Sequence, residues 1–81
     1  MRREWLTQPA FLADLTLLAQ FDTKNLELGV KLHQDSDDSL RHAAQRLHAK
    51  GVITAVDGGY LTPFGVSLLE HLDHLLLALK S

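Results

Sequence analysis

Residues 36–65 read SDDSLRHAAQRLHAKGVITAVDGGYLTPFG. Ser36 can cap a helix, which places Asp37 and Asp38 in the first turn, where carboxylates meet the positive end of the helix dipole. Leu40, Ala44 and Leu47 supply one buried stripe, with Ala43 at its edge. Lys50-Gly51 then closes the helix with a cation and a residue that tolerates left-handed backbone. Residues 52–56 form a short β-branched run, Asp57-Gly58-Gly59 signals a hairpin turn, and residues 60–62 return as a second strand. Two strands alone are marginal, so they must lean on the helices. Thr62-Pro63 opens the next helix by joining a capping hydroxyl to a proline that fits the first turn.

Toward the N-terminus, Thr7-Gln8-Pro9 repeats that helix start. Phe11, Leu15 and Leu18, with Leu12, Ala19 and Phe21 beside them, predict a first helix over residues 8–20 with a wide apolar face. Trp5 and Leu6 are expected to pack onto the body, because an exposed tryptophan is uncommon. Asp22 and Thr23 offer a cap for a second, short helix lined by Leu26, Val30 and His33, in which Gly29 admits a close neighbour. Toward the C-terminus, Leu68, Leu72, Leu75 and Leu79 alternate at four- and three-residue spacing. Leu69, Leu76 and Leu77 exceed what that single stripe accommodates.

The whole chain of 81 residues, 1–81, reads as one domain with a single modest core at 46% hydrophobic content. It contains no cysteine, which excludes disulfides and thiolate metal sites and fits a reducing cytoplasm. The N-terminal MRREWLTQ has two arginines but lacks the apolar run of a signal peptide, and no stretch is long and apolar enough to span a membrane. A net charge of −2 argues against indiscriminate polyanion binding while leaving room for a local basic patch. The expected fold is mainly α with a small β-hairpin (α+β), in the order helix-helix-helix-strand-strand-helix. That order is a winged helix-turn-helix whose third helix is the recognition helix and whose hairpin is the wing.

The helix running into GVITAVDGGYLTPFG resembles the C-terminal part of winged-helix regulators of the MarR and PadR kind, where a similar L-T-P-x-G follows the wing. Through A-A-Q-R-L-x-A-K-G at residues 43–51 and D-G-G-Y-L-T at residues 57–62, most of the chain also resembles a small winged-helix family of gamma-proteobacteria. Proteins of that family are uncharacterised and described at most as candidate DNA-binding proteins. The resemblance implies DNA binding, regulation of transcription and a dimer built by terminal helices. The wing departs from strong DNA binders: residues 56–60 hold Asp57 and no Lys or Arg.

With Leu40, Ala44 and Leu47 turned inward, the outer face of the third helix centres on Asp38, His42, Gln45 and Ala49, flanked by Arg41 and Arg46. Gln45 can address adenine bidentately, and the arginines can take guanine edges or phosphates. No acidic residue occurs from Ser39 to Val56. Arg41, Gln45 and Arg46 are therefore the expected core of a DNA site of weak to moderate affinity for double-stranded DNA, supported by His42 and Lys50. Arg2 and Arg3 could add phosphate contacts as an arm.

On the C-terminal helix (63–80), Leu68, Leu75 and Leu79 form a surplus stripe and the expected interface of a homodimer. Glu70-His71-Leu72-Asp73-His74 offers two histidines at i, i+3 without the further ligands of a definable zinc site, so solvated polar residues are the simpler account and no metal or cofactor is expected. The chain lacks a Gly-x-Ser-x-Gly elbow and a phosphate-cradling loop, so an enzyme is not expected either. The competing expectation to DNA binding is a protein–protein interaction module on the same scaffold, which the acidic wing and the net negative charge favour.

Overall fold

The fold turns on the end of the second long helix. Lys50 caps that helix, and Gly51, at φ +76°, reverses the chain in a conformation open to glycine. The backbone then enters a hairpin and a long final helix. The computed structural model describes residues 3–80. A short 3-10 turn (Glu4–Thr7) precedes α1 (Pro9–Leu18), β1 (Val30–Lys31), α2 (Asp38–Ala49), β2 (Ile53–Ala55), β3 (Gly58–Leu61) and α3 (Pro63–Lys80). The result is a small α+β fold with three α-helices and a three-stranded antiparallel sheet in the order β1-β3-β2.

The core lies where α1 packs on α2 and α2 meets the base of the hairpin. Leu17, Val52, Ile53 and Leu69 are fully buried, and Ala43 and Ala44 leave no accessible surface. Two adjacent alanines let the α1 and α2 backbones approach closely, so Ala43 is central to the stripe while Leu40 sits at its half-buried edge. Each large buried aliphatic contributes roughly 2 kcal/mol through removal from water.

Thr62 ties the sheet to α3. Its hydroxyl oxygen accepts from the Gly65 amide at 3.0 Å as a helix cap, and the hydroxyl itself points at the carbonyls of Gly51 and Val52. The Thr62 amide donates to the Val52 carbonyl at 3.0 Å. Gly65 completes the junction: a Cβ there would stand 2.1 Å from the Val52 carbonyl oxygen. The expected threonine–proline helix start is therefore present, and the L-T-P-x-G spacing acquires a mechanical reason.

Several expectations are corrected. The second helix over residues 22–33 does not form. Asp22 accepts from the Lys24 amide at 2.8 Å, closing an Asx turn instead of capping a helix, and further turns follow at Asn25 and Leu28. Of the expected stripe, Leu26 and His33 are exposed, and Val30 is half-buried because it joins the sheet opposite Gly59. Gly29 does meet close neighbours, the Gly59 carbonyl oxygen and the Tyr60 ring, but from outside any helix.

Other differences are smaller. Gln8, not Thr7, occupies the cap position of α1, while the Thr7 hydroxyl donates back to the Glu4 carbonyl at 3.1 Å. Trp5 and Leu6 remain more than half exposed, because the turn that carries them buries none of its residues. Asp37 caps α2 by accepting from the Ser39 amide at 2.9 Å, and Ser36 accepts from the His33 amide instead. The hairpin turns at Val56-Asp57, and both glycines lie within β3. β3 needs them because it is the middle strand: a Cβ on Gly58 would reach 2.1 Å from the Val30 carbonyl oxygen of β1.

Replacing a helical glycine by alanine ordinarily stabilises by about 0.5–1 kcal/mol. At Gly65 the sign reverses. Gly65→Ala should destabilise by about 1–3 kcal/mol, read as a fall in the urea midpoint, because the Val52 carbonyl must move for the methyl to fit.

Candidate functional site

Three arrangements of side chains concern function: the outer face of α2, the hairpin beside it, and a groove between α1 and α3. On α2, Asp38, His42, Gln45 and Ala49 are exposed, as the helical spacing required, and His48 is exposed beside them. Lys50 is exposed at the end of the helix. The two arginines behave differently from each other. Arg41 is bound within its own helix to the Asp38 carboxylate, three residues earlier. Its Nε is buried without a hydrogen-bond partner. Arg41 and Gln45 also line a cleft of about 230 Å³ between α2 and the hairpin, with Leu32, His33, Val56 and Asp57 among its other walls.

Arg46 leaves the α2 face altogether. Its Nε donates to Asp14 on α1 at 3.0 Å, a terminal nitrogen lies 2.9 Å from the same carboxylate oxygen, and that nitrogen donates to the Ala10 carbonyl at 3.2 Å. The Asp14 side chain is only 14% exposed, so the guanidinium satisfies a carboxylate that water reaches poorly. Arg46 is thus a clamp between α1 and α2. Sequence spacing placed it on a flank of the outer face, but its stem is long enough to reach the neighbouring helix. The overlooked signal was Asp14, a lone carboxylate inside the apolar run from Phe11 to Leu18.

The hairpin carries one more bound cation. Lys31 on β1 pairs with Asp57 at the turn, and the lysine hydrogen bond holds the Asp57 carboxyl below its ordinary range. Hydrogen bonds from the Ser39 amide and hydroxyl likewise lower Asp37. Around this end of the molecule, Lys31, Arg41 and Arg46 are each matched by an aspartate. Arg3 is exposed at the start of the N-terminal turn, and Arg2 lies outside the described residues.

The groove is of opposite character. Phe11, Leu15 and Leu18 of α1 face Phe64, Leu68, Leu72 and Leu75 of α3 across a volume of about 400 Å³, with buried Leu47 and Val52 beneath. Its polar liners are Asp14, Lys50 and His71. Of the three residues expected to form a dimer stripe, Leu68 is half-buried against the core, whereas Leu75 and Leu79 are 55% and 74% exposed. His71 holds the Ser67 carbonyl through Nδ1 at 2.7 Å, and Asp73 accepts from the Thr23 hydroxyl at 3.3 Å. Among the described residues, no three His, Asp or Glu converge as a metal-ligand set.

A family model for a family of unknown function, DUF5669, matches residues 6–80, and the chain belongs to that family. No curated protein and no solved structure matches it. Among the described residues, no helix is long and apolar enough to cross a membrane.

The two arginines should separate sharply on truncation. Arg46→Ala strands the Asp14 carboxylate and should cost about 2 kcal/mol, lowering the melting temperature by roughly 8–16 °C. Arg41→Ala, which frees an exposed carboxylate, should stay within about 0.5 kcal/mol.

Asp37 and Asp57 titrate below the ordinary 3.8 in the folded chain. Their contribution is therefore complete above the unfolded pKa and is lost as pH falls through the lowered folded values. Melting temperature followed from pH 6 to pH 2 should fall less steeply in Asp37→Asn than in the unaltered chain.

Proposed function

We propose that this member of the family is a protein-association module on a winged-helix scaffold, and that its working surface is the α1/α3 groove with the adjoining leucines of α3. The scaffold reading is supported by the course of α2 through Gly51 into the β2–β3 hairpin, by β1 as the third strand, and by the return of the chain through α3. It differs from a full helix-turn-helix in that turns and β1 stand where the helix before α2 would be.

One observation carries the functional reading: Lys31, Arg41 and Arg46, near α2 and the hairpin, are each held by an aspartate while large apolar side chains stand in water. Lys31, Arg41 and Arg46 would have to exchange Asp57, Asp38 and Asp14 for phosphates, against a net charge of −2. Exchanging one anion for another yields little of the counterion-release gain that drives DNA affinity. Phe64, Leu75 and Leu79 are 53%, 55% and 74% exposed beside an apolar groove, and contiguous apolar surface of this kind marks association sites. Such a module can act in the cytoplasm, consistent with a chain that lacks cysteine.

A second reading has its own support. The outer row His42, Gln45 and Ala49, with Lys50 beyond it, carries no acid after Asp38 and could lie in a major groove with Gln45 on an adenine edge. In that case the protein is a DNA-binding regulator of transcription.

Two titrations distinguish these readings. A labelled random-sequence duplex, followed by fluorescence anisotropy, should show no affinity tighter than about 100 µM at near-physiological salt. An anilinonaphthalene sulfonate dye, added to sub-micromolar protein, should brighten in the groove and lose most of that signal in Phe64→Glu. Micromolar duplex binding that weakens as salt rises, together with a dark dye, would establish the DNA reading instead.

A further inference from the structure

We infer that the occupant of the groove is the α3 end of a second copy of this chain, with the two α3 helices antiparallel about a two-fold axis near Leu75. This rests on the reading of the groove as an association surface and names its partner. At 100° per residue, Phe64, Leu68, Leu75 and Leu79 fall within roughly 60° of one another on α3. Gly65 and Leu69 face the body about a quarter turn away, and both are buried. The helix thus carries two apolar stripes and the body covers one. Past the Thr23–Asp73 hydrogen bond, the remaining leucines stand in solvent: Leu75, Leu76, Leu77 and Leu79 are 55%, 41%, 72% and 74% exposed.

The chain therefore owns both halves of a contact, an apolar groove and an apolar helix end that continues one wall of it. Leu75 belongs to both, since it lines the groove and begins the exposed end. Pairing two antiparallel α3 helices at Leu75 sets Leu79 of one copy opposite His71 and Leu72 of the other. There it can enter the space between α3 and Phe11 and Leu15 of α1.

Charge permits this pairing. Glu70, Asp73 and Lys80 lie roughly 130–150° round the helix from the stripe, so the two copies meet without like charges, and antiparallel helix dipoles attract. Area supports it too. The exposed parts of the stripe and of the facing α1 residues amount to on the order of 500 Å² per copy, approaching the roughly 800 Å² per partner of a standard interface. The total accessible surface is 5979 Å², of which this patch is the share a small protein commonly commits to one partner. Weak and transient interfaces sit at this end of the size range, so the dimer is expected to form only at micromolar or higher concentration.

Sedimentation equilibrium of the full chain from about 1 to 500 µM should show a monomer passing to a dimer. Leu79→Glu should remain monomeric across the range with an unchanged far-ultraviolet circular dichroism spectrum, because that side chain is 74% exposed. Leu77→Glu, on the far side of α3, should still dimerise. The cysteine-free chain makes a second readout clean: Leu75→Cys should form an interchain disulfide with oxidised glutathione, and Leu77→Cys should not. Dye brightening per chain should fall as the protein is concentrated through the dimer range and stay constant in Leu79→Glu, which leaves the groove lining intact. A chain that stays monomeric at 500 µM and still brightens the dye would overturn the second copy as occupant while leaving the association surface in place. Loss of dimerisation in Leu77→Glu as well as Leu79→Glu would also overturn it. A monomer that never brightens the dye would remove both readings.

Discussion

The approach of Gly65 to the Val52 carbonyl is the contact on which the arrangement depends. The carbonyl sits where α2 has just ended at Gly51, and it receives the Thr62 amide at 3.0 Å. That hydrogen bond, the Thr62 cap on Gly65 and the absence of a Cβ bring the end of α2, the base of the hairpin and the start of α3 to one point. Leu69 can then reach the core beside Val52 and Ile53, and the direction of α3 is fixed. The groove follows from that direction, which sets Phe64, Leu68, Leu72 and Leu75 of α3 opposite Phe11, Leu15 and Leu18 of α1. A side chain at position 65 would change the angle, and with it every residue pair that lines the groove.

Charge is arranged to hold the fold before it serves any partner. Asp14 and Arg46 clamp α1 to α2, Lys31 and Asp57 join β1 to the hairpin turn, and Asp37 caps α2. The exposed face of α2 is left with histidines, a glutamine and Lys50. The acid-free run from residue 39 to 56 looks basic in one dimension; in three dimensions its two arginines face aspartates that lie outside the run. Exposed apolar surface has its own concentration: Phe64, Leu75, Leu76, Leu77 and Leu79 all stand on α3, beside a groove whose lining is mostly apolar. The contrast between a neutralised polar face and an uncovered apolar one directs attention to association.

What could be read from the sequence was what depends on near neighbours. Gly51, the hairpin, the Thr62-Pro63 start and the extent of α2 are each decided within a few residues, and each stands close to where the spacing placed it. The segment from residue 22 to 33 could not be read this way. The spacing of Leu26, Val30 and His33 fits a helix, but the fate of Val30 is decided far along the chain, where it pairs with Gly59 and where the missing side chain of Gly58 lets β1 approach. The α2 face was legible as a face: His42, Gln45 and Lys50 are exposed, and Arg41 reaches the hairpin cleft. The position of Arg46 was not, because a guanidinium on a long stem answers to the nearest buried carboxylate and not to the helical wheel. Of the apolar stripe on α3, Leu75 and Leu79 were visible by period, but the α1 wall opposite them needed the tertiary structure.

The strand order β1-β3-β2 has a consequence for how the molecule assembles. The middle strand is the last of the three in the chain, so β1, made early, has nothing to pair with until Gly58 and Gly59 exist. The β2–β3 hairpin closes over a two-residue turn, at little entropic cost, whereas docking β1 closes a loop that contains all of α2. Local closure precedes distant closure on these grounds, so α2 and the hairpin are the seed and β1 arrives on a sheet already half built. During synthesis, the stretch between α1 and α2 must wait without a partner for about as many residues as separate Val30 from Gly59.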